Sequence, residues 1–254
     1  MRGRTLYPVL AGAAWVVLTV LAEAGVNGLV AHFPVVASSQ GQLIDDTFAL
    51  LLRVTAPVFT FVVVALAVSI ASAGEARRLA AAGEVRYARD NRFFSWTWFA
   101  VSFILNAYFV FGPGVHDVNA IVLGPDQPRP TDLVVQVEAH QWGWDFIYPS
   151  LGVKSQTLVL PVHREIRFDV TSKDVIHSFW IPAFRMKIDA VPGRINHITV
   201  TTTRVISTRD DPTARVQCAE LCGIGHPNMR AAVQVLPPDA FDAWVTQQKA
   251  QQGP

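Results

Sequence analysis

The sequence carries little charge, and the charge it has is balanced. Only 16% of its 254 residues are charged, and the formal net charge is +1, whereas about a quarter of the residues in an ordinary soluble domain are charged. A basic excess that could hold a nucleic acid is missing, and so is an acidic tail. Hydrophobic residues make up 51% of the chain, which excludes intrinsic disorder. We therefore expect a folded protein that interacts with lipid and has no nucleic-acid partner.

Cysteine is equally scarce. The chain contains two cysteines, Cys218 and Cys222, and both lie in one short segment. Two cysteines cannot build a disulfide-rich secreted scaffold. The pair therefore forms either one disulfide or part of one metal site.

Long apolar runs are abundant, but only in the first 111 residues. The bilayer's hydrocarbon core is roughly 30 Å thick and takes about 20 helical residues to cross. Residues 54–73 and 93–111 meet that requirement, so they predict a transmembrane hairpin within a segment of residues 41–114.

A further apolar run, residues 6–30, lies within the N-terminal segment 1–40. It follows Arg2 and Arg4 and contains Glu23 and Asn27. Two interpretations stay open. The run is either a third transmembrane helix or the apolar core of a signal peptide cut near the small residues at 37–39.

The arginines predict the orientation in the membrane. The loop of residues 74–92 holds five arginines against three acidic residues, and short loops with such an excess stay in the cytoplasm. The hairpin then leaves the remainder of the chain outside. We expect a multi-pass protein of a bacterial cytoplasmic (inner) membrane whose C-terminal part lies on the periplasmic face.

The part after the hairpin predicts an all-β domain. Glycine and proline mark residues 115–130 as a linker, and the outer domain spans residues 131–254. Short β-branched and aromatic runs separated by turn residues predict an antiparallel sandwich or barrel. The runs cover residues 133–148, 157–160, 165–171, 195–203, 215–218 and 231–236, and residues 239–250 have the composition of a short helix.

One segment of this domain concentrates metal ligands. Cys218, Cys222, His226 and Met229 lie within 12 residues between two predicted strands. Thiolate, imidazole and thioether are soft or borderline ligands that suit copper and do not suit calcium or magnesium. His177, an isolated histidine among apolar residues on another inter-strand stretch, is the best candidate to complete the site.

Several kinds of site could use some of these residues. A disulfide between the cysteines leaves His226 and Met229 without a role. Zinc has no use for a thioether. A mononuclear blue copper site takes one thiolate, two imidazoles and a weak axial methionine, so one cysteine is surplus. Both thiolates have a role if they bridge two copper ions, a site that transfers electrons and breaks no bonds.

The residues resemble a known family. The segment from Cys218 to Met229, together with His177 and the phrase Lys-Ile-Asp-Ala-Val-Pro-Gly-Arg at 187–194, resembles subunit II of the haem–copper cytochrome c oxidases. The resemblance covers roughly residues 42–236. It implies a membrane-anchored all-β protein in which transmembrane helices precede a cupredoxin-like Greek-key β-barrel carrying the binuclear copper centre called CuA.

The resemblance also implies a role for each site residue. Cys218 and Cys222 would be bridging thiolates, and His177 and His226 would be terminal imidazoles. The weak ligands would be the Met229 thioether and the main-chain oxygen of Glu220. The carboxylate of Glu220 would help to hold a magnesium ion shared with the large subunit.

An aromatic segment matches the family as well. His-Gln-Trp-Gly-Trp at 140–144 resembles the stretch in which the tryptophan at the position of Trp142 receives the electron from cytochrome c. Strand alternation would place Trp142, Trp144 and Phe146 on one face. We interpret Trp144 and Phe146 as core residues and Trp142 as the functional one.

The implied function is that of an oxidase subunit which accepts electrons and does not itself reduce oxygen. Its partners would be the haem-bearing large subunit I, subunit III, the lipid bilayer and a cytochrome c-type donor that is soluble, anchored or part of a supercomplex. The whole complex would be a proton-translocating oxidoreductase. The alternative is the CuA subunit of a haem–copper nitric oxide reductase, and a membrane-anchored copper-delivery protein is a weaker one.

Two features depart from the family. A glutamate often stands near the cytoplasmic start of the last helix, at the mouth of a proton channel, but this chain has Arg92, Phe93 and Phe94 there. Residues 115–254 hold 14 acidic and 13 basic side chains, and no acidic run follows the aromatic segment. We therefore expect weak long-range steering of the donor.

Overall fold

The computed structural model describes residues 3–83, 92–114 and 133–252. The chain divides into two compact units. Met1–Phe33 and Asp46–Gly112 form the helical unit, and Pro34–Asp45 and Pro113–Pro254 form the β unit. The predicted linker and residues 84–91 of the basic loop lie outside the described residues.

The helical unit contains three helices with membrane-spanning character. Its elements are α1 (Gly3–Ala31), α2 (Ser39–Ala81, whose first residues belong to the β unit) and α3 (Arg92–Phe109). A π-helical turn, Val110–Gly114, follows α3 and departs from helical geometry at Gly112. Three stretches are long and apolar enough to cross a membrane: Pro8–Ala31, Ser39–Gly74 and Ser95–Gly112. The two predicted spans are confirmed as helices, and the first apolar run is helical as well.

Polar side chains join α1 to α2. Trp15 Nε1 donates to the carbonyl oxygen of Pro57 at 2.9 Å, and the hydroxyls of Thr19 and Thr60 lie 2.7 Å apart. Nearer the other end, Arg53 donates to Asn27 at 3.2 Å. Trp15, Thr19 and Asn27 are spaced by multiples of four residues and so share one face of α1. Hydrogen bonds of this kind hold helices together in lipid, where burial of apolar surface does not distinguish a neighbouring helix from an acyl chain.

The β unit consists of two sheets. The strands are β1 (Leu133–His140), β2 (Gly143–Tyr148), β3 (Val153–Ser155), β4 (Leu158–Pro161), β5 (Glu165–Ser172), β6 (His177–Ile181), β7 (Met186–Ala190), β8 (Asn196–Thr201), β9 (Ile206–Ser207), β10 (Arg215–Cys218) and β11 (Arg230–Leu236). The five-stranded sheet has the order β3-β2-β1-β5-β8, and the six-stranded sheet has the order β4-β11-β10-β6-β7 with β9 paired to β11. A C-terminal helix, α4 (Pro238–Gln252), follows.

The expected β-sandwich is confirmed, with two corrections. The sheets are mixed, because β1 pairs in parallel with β5 and β4 in parallel with β11, so the purely antiparallel prediction is wrong. The run at 133–148 is two strands joined by a turn, and β3, β6, β7 and β9 were not predicted. The predicted helix at 239–250 lies within α4.

Aromatic residues join the two sheets. Phe179 of β6 lies 5.2 Å from Phe168 of β5 and 5.7 Å from Trp144 of β2, measured between ring centroids. Phe168, Phe179 and Phe146 are fully buried, and Trp144 is 2% exposed. The expectation that Trp144 and Phe146 are core residues is therefore confirmed.

The segment Pro34–Asp45 is attached to the β domain. Ala37 and Ser38 are fully buried, and Ala37 N donates to Ala183 O at 2.8 Å. Ser38 forms an antiparallel bridge with Thr202. Arg185 donates from Nε and Nη2 to the two carboxylate oxygens of Asp45, each at 2.9 Å. The small residues that suggested a processing site thus lie in the interior of the folded unit.

Candidate metal centre

The site lies where three segments of the six-stranded sheet meet. His177 is the first residue of β6, Cys218 is the last residue of β10, and residues 219–229 lead into β11. Main-chain hydrogen bonds of 3.0 Å join Ala219 N to Ser178 O and Cys218 N to Met229 O. These bonds bring the histidine strand against the cysteine strand and close the loop between the cysteines and Met229.

The donor atoms form two equivalent sets around a pair of sulfurs. The Sγ atoms of Cys218 and Cys222 are 3.7 Å apart. Cys218 Sγ lies 3.8 Å from His177 Nδ1 and 3.2 Å from the main-chain oxygen of Glu220. Cys222 Sγ lies 3.6 Å from His226 Nδ1 and 3.7 Å from Met229 Sδ. Each sulfur thus has one imidazole and one weaker donor beside it.

The two cysteines are free thiols in a dry environment. A disulfide needs sulfurs about 2.05 Å apart, so the separation of 3.7 Å excludes the disulfide for this conformation. Cys218, Cys222, His177 and Met229 are all at most 4% exposed. Burial raises the pKa of the Cys222 thiol, and the neighbouring Cys218 raises it further. A buried thiol whose pKa is raised suits a metal ion that would stabilise its thiolate form.

Asp174, which was not among the predicted site residues, orients His177. Asp174 Oδ1 lies 2.8 Å from His177 Nε2, the nitrogen opposite the one that faces Cys218. The same carboxylate accepts main-chain N–H groups of Gln141 and Val175, each at 2.7 Å. Partial burial acts to raise the pKa of Asp174, but the hydrogen bonds from His177, Gln141 and Val175 prevail and lower it to about 2.

This contact defines which imidazole nitrogen is available. A carboxylate can only accept a hydrogen bond, so the nitrogen of His177 that faces Asp174, Nε2, carries the hydrogen. The other nitrogen, Nδ1, then has a free lone pair that points towards the sulfurs. Histidine ligands in metal sites commonly donate their second nitrogen to a carboxylate in this way. In the sequence, an aspartate three residues before a lone histidine is the signal that could have predicted this orienting contact.

Trp142 lies in the turn between β1 and β2 and reaches the cysteine loop. Its indole Nε1 donates to the main-chain oxygen of Cys222 at 3.1 Å, and Gln141 Nε2 donates to the same oxygen at 2.8 Å. The indole lies so close to Gly225 that a Cβ there would come within 2.3 Å of the ring. Glycine at this position therefore allows the ring to cover the loop.

Two sequence predictions about these residues need correction. Strand alternation predicted one face for Trp142, Trp144 and Phe146, but Trp142 belongs to the turn and is 42% exposed while the other two are buried. His177 was expected between strands, whereas it starts β6. The sequence of β6 shows no alternation of apolar and polar residues, because four of its five residues are buried. Strands that are buried on both faces lack that alternation.

The neighbouring charges are paired with one another. Lys173 Nζ contacts Glu138 at 2.7 Å and Asp145 at 3.1 Å, and Lys154 contacts Asp145 at 3.3 Å. Burial acts to raise the pKa of Asp145, but Lys173 and Lys154 lower it overall. Two acidic and two basic side chains thus balance each other beside the aromatic turn.

The chain matches known proteins over the β unit. Residues 150–236 match the family described as cytochrome c oxidase subunit II, periplasmic domain. Cytochrome c oxidase subunit 2 of Thermostichus vulcanus is 44% identical over 127 residues, which cover 50% of this chain and 37% of that protein. The corresponding protein of Bacillus sp. (strain PS3) is 40% identical over 114 residues, which cover 44% of this chain and 32% of that protein.

A solved structure matches the same part. The periplasmic domain of subunit II of cytochrome oxidase (CoxB) of Bradyrhizobium japonicum is 31% identical, with a TM-score of 0.45, over 50% of this chain and 99% of that chain. The present chain thus matches about a third of the length of the curated relatives and nearly all of an isolated periplasmic domain. Through this domain, which carries the paired sulfur and imidazole donors, the chain belongs to the cytochrome c oxidase subunit II family.

Proposed function

We propose that the chain is the electron-accepting subunit of a terminal cytochrome c oxidase. It would receive electrons from a cytochrome c-type donor at a binuclear copper centre and pass them to haem in the large subunit I, where oxygen is reduced. The observation that carries this proposal is the pairing of donors, one imidazole and one weak donor beside each of two sulfurs 3.7 Å apart. A single copper ion of the blue type would leave one of the two cysteines without a role.

The residues fit two copper ions. The thiolates of Cys218 and Cys222 would be shared ligands, and His177, His226, Met229 and the main-chain oxygen of Glu220 would complete the set. Bound copper would supply a one-electron carrier shared between two nuclei. The protein's part is to hold soft donors in fixed positions and to exclude water, which the burial of both cysteines and of His177 supports.

The exposed carboxylate of Glu220 has a separate proposed role. Its main-chain oxygen lies on the sulfur side, whereas the side chain is exposed. We propose that this carboxylate helps to hold a magnesium ion at the contact with subunit I, since carboxylates are hard ligands that magnesium prefers. The main-chain oxygen of Glu220 would then serve the copper centre, and its side-chain carboxylate would serve the magnesium ion.

Trp142 is our candidate for the residue that receives the electron. It is exposed on one side, and its indole is hydrogen-bonded to the backbone of the bridging residue Cys222. A donor haem edge placed against the ring would therefore be linked to the metal site through one hydrogen bond and the atoms of Cys222. None of the indole atoms is among the metal donors.

The burial of the candidate ligands also argues against the alternative of a copper-delivery protein. A protein that hands copper on needs ligands that a partner can reach, but Cys218, Cys222 and Met229 are almost completely covered. The closed arrangement favours a resident metal over a transferable one.

We further propose that α1 remains part of the protein as a third membrane helix, in a bacterial cytoplasmic membrane with the copper domain on the periplasmic face. Cleavage after Ala37 would place a charged amino group on Ser38, which is fully buried. Burying an unpaired charge costs several kcal/mol. Amino-terminal sequencing of the purified chain should find residues that precede Ala37. A chain that starts at Ser38 would contradict this proposal.

The function is tested on the complex purified from membranes with this chain as bait. We expect two copper atoms per chain beyond those of the large subunit, an EPR signal in which one unpaired electron couples equally to two copper nuclei, and oxygen consumption driven by reduced cytochrome c. One copper per chain would refute the binuclear centre. Consumption of nitric oxide without oxygen consumption would replace the oxidase by a nitric oxide reductase.

A further inference from the structure

An apolar cleft lies among the helices of the helical unit. Its walls include Trp15 of α1, Pro57 and Phe61 of α2, and Trp98 and Val101 of α3. The cleft encloses about 350 Å³, and sites for small ligands enclose roughly 300–1,000 Å³. Phe61, Trp98 and Val101 are 45%, 54% and 49% exposed, so the cleft is open at the surface of the unit. For a chain in a bilayer, such an opening faces acyl chains.

The polar atom of the indole in this cleft is already used. Trp15 Nε1 donates to the carbonyl oxygen of Pro57 at 2.9 Å, and the Trp15 ring meets the Phe61 ring edge to face, with centroids 5.9 Å apart. The indole therefore needs no partner from a ligand. A hydrocarbon chain suits the cleft better than a polar molecule.

A cation stands at one end of the cleft. Arg53 lies one helical turn before Pro57 on α2, and residues four apart share a helix face. It directly precedes the apolar run 54–73, and its side chain is exposed. The guanidinium donates to Asn27 Oδ1 at 3.2 Å. In the described part of the chain no carboxylate forms an ion pair with Arg53, not even Glu23, one turn from Asn27 on α1. A guanidinium has five N–H donors, so Arg53 retains donors and a charge for an anion.

We propose that Arg53 and the cleft bind one phospholipid of the outer leaflet, with its phosphate at Arg53 and Asn27 and an acyl chain in the cleft. The inference goes beyond electron transfer. It rests on the retention of α1 and on the orientation proposed above, and not on the copper centre. A guanidinium can bind phosphate through two parallel hydrogen bonds, and in that orientation Arg53 lies where the apolar run meets the periplasmic headgroups. The lipid would join α3 to the pair of α1 and α2.

The test uses the purified complex in phosphatidylcholine bilayers that contain a small fraction of a photoreactive lipid. One probe is phosphatidylglycerol with a diazirine in one acyl chain, and the other is a diacylglycerol with the same acyl chains and no phosphate. We expect light to attach the first probe to peptides that contain Phe61, Trp98 or Val101. The second probe should label them about fivefold less, because it lacks the phosphate that Arg53 would bind. Equal labelling by both probes, or loss of labelling on addition of inorganic phosphate, would overturn the proposal.

Variants of the arginine test the headgroup contact. Arg53→Gln should lower labelling by phosphatidylglycerol about fivefold, and Arg53→Lys should fall between Arg53→Gln and the wild type, because lysine keeps the charge and loses the planar fork. Arg77→Gln is the matched control, since Arg77 is also an exposed arginine of α2 but lies near its other end. Copper content and the EPR signal should stay unchanged in all three. Wild-type labelling in Arg53→Gln would show that Arg53 does not hold the lipid.

A second pair of variants tests the acyl-chain contact. Val101→Phe places a larger side chain in the cleft and should reduce labelling there, whereas Ile104→Phe should not, because Ile104 lies on α3 outside the cleft and is 65% exposed. If the cleft peptides of a wild-type complex with normal copper and electron transfer take up no lipid, another subunit fills the cleft and the lipid site is wrong. A complex that binds the lipid but holds no copper would support the lipid site and contradict the proposed function.

Discussion

Replacing Asp174 by asparagine should weaken copper binding although Asp174 does not touch the metal. The carboxylate lies 2.8 Å from His177 Nε2 and so keeps the ring hydrogen on that nitrogen. Asparagine has nearly the same shape but carries no charge, and its amide can turn its NH2 group towards the ring. The rotated ring or the wrong tautomer would then withdraw the lone pair of Nδ1 from the site.

The magnitude follows from the kind of hydrogen bond lost. A hydrogen bond to a charged group contributes about 1.5–3 kcal/mol and a neutral one about 0.5–1.5 kcal/mol. Loss of a partner that orients a metal-bound histidine typically lowers metal affinity about 10- to 100-fold. We expect Asp174→Asn to fall in that range, with altered copper hyperfine coupling in the EPR spectrum.

The assay is competition for copper between the purified complex and a chelator of known affinity. Asp211→Asn is the control, since Asp211 also accepts two short hydrogen bonds, from Thr213 N and Oγ1, each at 2.7 Å. It precedes β10, whereas Cys218 ends that strand. Equal affinity and an identical spectrum in Asp174→Asn and the wild type would refute the orienting role.

Acid should lower the stability of the metal-free domain partly by protonating the Asp174 carboxylate. The pKa of Asp174 lies at about 2, below its ordinary value of 3.8, so its contribution to stability is present above about pH 4 and is lost as the pH falls towards 2. Asp174→Asn should therefore show a weaker loss of stability over that interval. A wild-type and a variant protein with parallel pH profiles would contradict the lowered pKa.

Three other predictions concern ligands, electron transfer and topology. Cys222→Ser removes a donor from both proposed copper positions and should leave at most one copper, whereas Met229→Leu should keep two and shift the reduction potential; equal copper loss in both would refute the ranking of ligands. Trp142→Gln should keep the copper, because Gln141 still donates to Cys222 O, yet slow reduction by the donor at least tenfold; loss of copper would make the ring structural. Alkaline phosphatase joined after Gly124 should be active and after Gly83 inactive, and the reverse would overturn the orientation.

The clustering of the candidate ligands could be predicted because most of them are close in sequence. Cys218, Cys222, His226 and Met229 belong to one loop between two strands, so a single turn of chain brings them together. Trp144 and Phe146 could be recognised as core residues from their alternation, and the structure buries both.

Contacts between distant segments could not be predicted. Asp174 and Gln141 are 33 residues apart, and Arg185 and Asp45 are 140 residues apart. The sequence around one residue of such a pair does not indicate which distant residue it contacts. The orienting carboxylate and the attachment of Pro34–Asp45 to the β unit are therefore visible only in the folded structure. The strands β3 and β9 have three and two residues, too few for any alternation to be visible.

The way in which the donors are held supports the proposed role in electron transfer. The hydrogen bond from Ala219 N to Ser178 O fixes the cysteine strand to the histidine strand, and the one from Cys218 N to Met229 O closes the loop. The main chain therefore defines the distances among the donors before any metal binds. The buried sheet around them resists displacement because protein interiors are close-packed. A site whose donors barely move when charge is added or removed needs little rearrangement for each electron, and the burial of Cys218, Cys222 and Met229 keeps bulk water away from the sulfurs.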